Sequence, residues 1–258
     1  MNILFTVCAR SCSKGVKNKN SRLFLNLPIC YYTLAAYKEF LKNYNSDFDV
    51  IGLALNTDSV KLKQQFDDSK INYIYITRTE NLAGDRVAKA DVICDTLIKV
   101  EEKTNIQYDY VVDLDLTSPL RTVEDIKGCI DKIIQCEDVN IAYSITNSRR
   151  QPSFNMVSQD QNGYLKVVLP SNYISRQEAP KTFDMNASIY VYRRAPLLKT
   201  KEQDVFDGNC VGWIMKDTAV LDIDSEEDYE LLQVLARYFF EKDAGMKKVF
   251  CAATELGQ

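Results

Sequence analysis

The chain contains no histidine among its 258 residues. That absence excludes Ser-His-Asp and Cys-His catalysis and any zinc site built on imidazole. Proton transfer must then rest on a carboxylate, Lys, Tyr, Cys or a metal-bound oxygen. Hard cations held by carboxylates stay open. No apolar stretch approaches the roughly 20 residues needed to span a bilayer. The opening residues lack a basic segment and Arg10 cuts the first apolar run short, so no secretion signal is read and a cytoplasmic setting is expected. The eight cysteines form no C-x-x-C pair and read as reduced packing residues. Neither an internal repeat nor a low-complexity segment is present.

A second scarcity is local. No Asp or Glu occurs before Glu39, whereas five cations fall from Arg10 to Arg22. The whole chain carries a formal net charge of −4, so this opening runs against its own average. Mild overall acidity argues against general nucleic-acid binding, and the basic loop points instead to a small anionic ligand. It follows the apolar run Ile3–Val7, and the end of a buried strand is where an open α/β sheet binds ligands. Arg10, Lys14, Lys17 and Lys19 can neutralise a triphosphate, and Gly15 lets backbone N–H groups come close. The segment has no G-K-[ST] and is not a Walker A loop. The alternative on composition alone is a solvated lysine-rich turn.

The length and an apolar fraction of 46% suit one large α/β domain or one domain with an added part. Strands are expected at Ile3–Cys8, Val50–Asn56, Tyr73–Thr77, Tyr110–Asp115, Ile141–Ile145, Ser188–Tyr192 and Ala219–Asp222. Helices are expected at Cys30–Lys42, Ser59–Asp67, Asp85–Lys103, Thr122–Cys136 and Glu226–Phe240. Several strands are continuous apolar runs, which favours a mostly parallel sheet covered on both faces. Residues 149–181 break the alternation with Pro152, Asp160-Gln161-Asn162-Gly163 and Pro170, and read as a β-rich insertion. The main body is then 1–148 with 182–240, and 241–258 is a tail whose role the pattern does not reveal.

Three further constellations carry chemistry. Asp222 and Asp224 share a face if their segment is a strand, which suits Mg²⁺, although Asp224 could merely help start the last helix. Asp113 and Asp115 likewise share a face, followed by Thr117, Ser118 and Arg121 as donors for an oxygen-rich ligand; the same residues also fit a turn before a helix capped by Thr122. Arg176 can hold a ligand carboxylate through two hydrogen bonds, or simply lie on the surface.

Together and in this order the pieces resemble the acylneuraminate cytidylyltransferase family of CMP-sugar synthetases. The resemblance runs through Ala9-Arg10-Ser11-Cys12-Ser13-Lys14-Gly15 with Lys19-Asn20, then Arg78-Thr79-Glu80-Asn81-Leu82-Ala83-Gly84-Asp85. It continues through Thr117–Arg121, Arg176–Pro180, Asn186–Tyr190 and Asp222–Glu226, and covers roughly residues 2 to 240. Two positions depart from the pattern. Cys12 stands where many members have Gly or Asn, and Asp115 replaces the Gln that meets the sugar in sialic-acid enzymes. The Asp113-Leu114-Asp115 form and the stretch from Lys181 to Tyr190 are most similar to the legionaminic-acid branch.

The resemblance implies a three-layer α/β/α, Rossmann-like nucleotidyltransferase fold of the nucleotide-diphospho-sugar transferase type. It implies attack of a nonulosonic acid's anomeric 2-hydroxyl on the α-phosphorus of CTP, with release of pyrophosphate and assistance from Mg²⁺ or Mn²⁺. Arg10, Lys19, Asp222 and Asp224 would carry the reaction, the two aspartates as metal ligands. Ala9, Ser13, Lys14, Gly15, Asn20, Arg78, Leu82, Ala83 and Asp85 would join Arg10 and Lys19 in holding the nucleotide. Asp115, Thr117, Ser118, Arg121, Arg176, Asn186 and Tyr190 would form the sugar site. Residues 149–181 would be a dimerisation extension, giving a homodimer with no membrane or nucleic-acid partner. A 3-deoxy-octulosonate cytidylyltransferase, a nucleotide-sugar-dependent glycosyltransferase and a non-catalytic nucleotide-binding module are the competing readings.

Overall fold

A computed structural model describes every residue except 12–14, 85, 176 and 219–221. The chain begins with β1 (Asn2–Cys8), the two-residue strands β2 (Leu23–Phe24) and β3 (Leu27–Pro28), and α1 (Cys30–Tyr44). Then follow β4 (Val50–Thr57), α2 (Val60–Asp68), β5 (Ile74–Thr77), α3 (Lys89–Thr104), β6 (Tyr110–Leu114) and α4 (Val123–Gln135). Beyond β7 (Val139–Asn147) lies the small hairpin of β8 (Val157–Gln159) and β9 (Leu165–Val167). The chain closes with β10 (Phe183–Arg193), the short α5 (Arg194–Leu197), β11 (Asn209–Ile214), α6 (Glu226–Lys242) and α7 (Ala244–Leu256).

Seven strands make one sheet in the order β11-β7-β10-β6-β1-β4-β5. Neighbours pair in parallel except β10, which runs antiparallel to both β7 and β6. Side-chain alternation splits the core into two layers. Ile3, Phe5 and Val7 enter one cluster with α1, α4, α6 and α7, while Leu4 enters the other with Ile93, Leu97 and Val100 of α3. The result is the expected three-layer arrangement.

Several boundaries differ from the sequence reading. Helix α3 starts at Lys89 rather than Asp85, because Ala88 is extended. The expected strand Ala219–Asp222 lies outside the described residues except for Asp222, which sits in irregular chain before α6. Strand β11 and helix α7 had no counterpart in the sequence reading. Helix α7 lies over α1, so that α1 is buried on nearly all sides, and the rings of Tyr32, Phe240 and Phe250 stack between the helices at 5.7 and 4.7 Å. The tail is thus a covering layer of the core.

Candidate active site

The parallel strands β1, β4, β5 and β6 all end on one edge of the sheet, where Ala9, Asp58, Arg78 and Asp115 follow them. Antiparallel β10 enters there, so Tyr190 pairs with Asp113 and the Ser188 carbonyl accepts from the Asp115 N–H at 3.2 Å. Between these ends lies an open cavity of about 210 Å³.

One wall is cationic. Arg10, Lys19, Asn20 and Arg78 line it with Ala9, Leu82 and Gly84. Each is anchored from behind. The Asn20 amide donates to the Arg10 carbonyl at 3.0 Å, and Arg10 Nη1 to the Ala83 carbonyl at 3.4 Å. Arg78 is buried, with Nε donating to Asn56 Oδ1 at 3.0 Å. Ser11 clamps the loop to β4 by donating its N–H and its hydroxyl to the two Asp58 carboxylate oxygens, each at 2.6 Å.

The basic loop also meets the segment before α6. Lys19 Nζ donates to the Ile223 carbonyl and to Asp224 Oδ1, both at 3.0 Å. Arg22 Nη1 reaches both carboxylate oxygens of Glu226 at 2.8 and 2.7 Å and its guanidinium stacks 3.9 Å over the Tyr229 ring. At Gly15 a Cβ would stand 2.0 Å from the Asp224 carbonyl oxygen, so only glycine permits this approach.

The opposite wall centres on Lys89. Its ammonium lies 2.8 Å from Asp113 Oδ2 and 2.7 Å from Asp115 Oδ2. Asp113 is fully buried and its other oxygen accepts from the Thr6 hydroxyl at 2.9 Å. Asp115 Oδ1 accepts from the Thr117 N–H and hydroxyl at 2.8 and 2.7 Å. Burial opposes ionisation of Asp115, but the Lys89 charge and the hydrogen bonds from Lys89 and Thr117 outweigh it and hold this carboxyl well below the usual range. Cys8 also lines the cavity, yet burial, with the nearby Asp113 charge, pushes its thiol up to about 12. A thiol held protonated is no nucleophile at neutral pH.

Asp222 and Asp224 lie in the segment before α6 that meets the basic loop, and neither is among the residues lining the cavity. The Asp222 carboxyl is raised, first by burial and then by the charges of Asp224 and Asp115, with Lys19 acting the other way. Two carboxylates whose charges oppose each other are hard oxygen donors whose repulsion a divalent cation would relieve.

No protein-family model matches the chain. Among curated proteins it is 34% identical over 234 residues to the CMP-N,N'-diacetyllegionaminic acid synthase of Campylobacter jejuni, covering 90% of this chain and 94% of that protein. It is 33% identical over 240 residues to post-translational flagellin modification protein B of Campylobacter coli, covering 91% and 95%. This chain belongs to the acylneuraminate cytidylyltransferase family. Among solved structures, a CMP:2-keto-3-deoxy-manno-octonic acid synthetase complexed with CTP superposes with a TM-score of 0.64, covering 92% of this chain and 99% of that one; at 16% identity it speaks for the fold alone.

Within this cytidylyltransferase the cavity gathers Ala9, Arg10, Lys19, Asn20, Arg78, Leu82, Asp115 and Thr117 from the residues expected on sequence. Ala83 contributes the carbonyl that accepts from Arg10. Ser13, Lys14, Asp85 and Arg176 lie outside the described residues. Ser118, Arg121 and Asn186 are not among the lining residues. Arg121 is buried, and it donates to the Asp115 and Ser118 carbonyls, bracing the turn that carries Asp115 and Thr117. Asn186 staples the bulge in β10: its Oδ1 accepts from the Ser144 hydroxyl at 2.5 Å, beside Ala187 with φ of 51°. Tyr190 stands beside the cavity, its ring centroid 5.5 Å from Lys89 Nζ.

The residue that sequence reasoning passed over is Lys89. One signal was present: a lysine as the first residue of a helix opposes the helix dipole, so its placement needs a partner elsewhere. Without the fold, nothing indicates that Asp113 and Asp115 supply it.

Proposed function

We propose that the chain transfers the cytidylyl group of CTP to the anomeric 2-hydroxyl of a nine-carbon 2-keto acid sugar of the legionaminic type, releasing pyrophosphate, for a surface glycan or glycoprotein. The observation that carries this reading is the two-walled cavity, with cations Arg10, Lys19 and Arg78 facing the Lys89, Asp115 and Thr117 wall at the strand ends. Reactions of this kind need positioning and charge neutralisation more than covalent help. A site without histidine can meet those needs.

In this reading Arg10, Lys14 and Lys19 hold the triphosphate, with Lys19 nearest the reacting phosphorus. Asn20, Arg78 and the Leu82–Asp85 loop hold the cytidine. Arg176 takes the sugar carboxylate, and Asp115, Asn186 and Tyr190 border the sugar. Asp222 and Asp224 are the ligands for Mg²⁺, which when bound polarises phosphate oxygens and acidifies a nearby hydroxyl. Use of CTP fits a cytoplasmic setting.

The test is pyrophosphate release across four nucleotides and a panel containing eight- and nine-carbon 2-keto acids. Release is expected with CTP and nine-carbon acids, with N,N'-diacetyllegionaminic acid ahead of N-acetylneuraminic acid. Silence with CTP and every acid would defeat the reading, and preference for the eight-carbon acid would move it to the octulosonate branch.

Homodimer formation belongs to the same proposal. The hairpin of β8 and β9 forms a sheet of its own, and a lone two-stranded hairpin is marginal in water. Around it Tyr164 is 70% exposed, Leu165 64% and Ile174 92%, an apolar surface that a second copy would cover. Light scattering should therefore give twice the 29.5 kDa of one chain. A monomeric mass with full activity would refute the dimer.

A further inference from the structure

The Lys89–Asp115 pair has a definite remaining hydrogen-bonding capacity. An ammonium carries three N–H donors; Lys89 gives one to Asp115 Oδ2 at 2.7 Å and pairs by charge with Asp113 Oδ2 at 2.8 Å, an oxygen with no hydrogen-bond partner among the described residues. A carboxylate oxygen accepts about two hydrogen bonds. Among the described residues Asp115 Oδ1 already takes both bonds from Thr117, whereas Oδ2 takes only Lys89. At least one charged donor and one charged acceptor, 2.7 Å apart, therefore remain on the cavity wall. Both side chains reach solvent there, Lys89 at 35% and Asp115 at 25% exposure, whereas Asp113 behind them is fully buried.

Charge decides what can complete this pair. Lys89 and the buried Arg121 balance Asp113 and Asp115, so this wall carries no net charge and offers an anionic group such as a carboxylate no net attraction. A hydroxyl group both accepts and donates from one oxygen, and can take the Lys89 N–H while giving its proton to Asp115 Oδ2. A lysine at the first position of α3 gains nothing from the helix itself, and its position is explained by these contacts.

We propose that Lys89 and Asp115 act as one unit that reads an uncharged sugar hydroxyl, with Lys89 as the specificity-determining residue and the Asp113 carboxylate as the buried group that fixes it. This rests on the functional reading above and names a subsite within it. Asp115 is then an acceptor for the sugar, neither the proton-abstracting base nor a metal ligand.

The test uses the full chain with CTP, Mg²⁺, N,N'-diacetyllegionaminic acid and monodeoxy analogues of that acid, each lacking one hydroxyl other than the anomeric one. In the wild type one analogue should lose about 10- to 100-fold in kcat/KM, the worth of a charged hydrogen bond. Lys89→Met should raise the KM for the intact sugar by a similar factor and keep the affinity for CTP within about twofold. In that variant the same analogue should lose little more, and Lys89→Arg should recover part of the loss. Because Lys89→Met strands the buried Asp113 charge, Lys89→Met/Asp113→Asn is measured in parallel, with thermal melting of both. Coupling to one hydroxyl in either folded variant supports the proposal. An unchanged sugar KM, or equal losses on CTP and on every analogue, overturns it while wild-type turnover stands. Absence of wild-type turnover with any nonulosonic acid overturns the functional reading and this subsite with it.

Discussion

Gly15→Ala should lower turnover by about 100-fold while the protein stays folded. The ideal Cβ at this position would stand 2.0 Å from the Asp224 carbonyl oxygen and 3.1 Å from its carbonyl carbon. Those atoms are backbone, so the added methyl cannot be accommodated by a side-chain rotation. The loop and the segment before α6 must part by roughly 1 Å, and a misplacement of that size can cost about 100-fold. A reason for glycine here is space. Lys19 would lose its 3.0 Å contact with Asp224, and among the described residues Arg22 with Glu226 would be left as the remaining ion pair between the two segments. Steady-state kinetics with CTP and sugar varied separately checks this. A rate within twofold of wild type would mean that the close approach has no part in the reaction.

The second large effect is expected at Asp222. Asp222→Ala and Asp224→Ala should each remove about 1,000-fold or more of the turnover, in keeping with the several kcal/mol that metal stabilisation of developing charge supplies. The two differ in a second readout. Asp222 is strained by burial and by the Asp224 charge, so Asp222→Asn should melt no lower than the wild type in the absence of metal. Asp224 also anchors Lys19, so Asp224→Ala should weaken CTP binding even without metal. A Mg²⁺ titration of the rate tests the shared role, and wild-type rates in both variants would move the metal elsewhere.

The parts of the fold that depend on local pattern were legible. Strands β1, β4 and β6 are continuous apolar runs, and they lie side by side in the buried middle of the sheet. The caps of α4 and α6 read directly from Thr122 with Asp125 and from Ser225 with the acids that follow; both prove to be reciprocal capping boxes. Strand β11 was not legible, because Asn209-Cys210-Val211-Gly212-Trp213-Ile214 has a glycine at its centre and weak alternation. That glycine leaves room for Ile145 of β7, a reason visible only in the packed sheet. Helix α7 was missed because alanines and glycine dilute its apolar stripe, whose core members are Met246, Val249, Ala252 and Ala253.

The site divides in the same way. Arg10, Lys19 and Asp115 stood out because charged residues cluster in short stretches after predicted strands, whereas Asn20 and Arg78 came from the family resemblance alone. Arg121 shared such a stretch, but the turn at Pro119 swings its side chain inward, where backbone carbonyls take its protons. Lys89 belongs to no cluster in the sequence. Its partners lie on and just after β6, more than twenty residues away, and only the packing of α3 against the sheet brings them together.

The contact between the basic loop and Asp224 joins stretches 205 residues apart in sequence. A ribosome must deliver all of the chain between them before those stretches can meet. Until then the emerging loop carries its cations without the carboxylates that later face it. The loop's charge balance therefore arrives only when the segment before α6 has emerged. Fragments that stop short of α6 should bind CTP poorly even when β1, β4 and β6 have already paired.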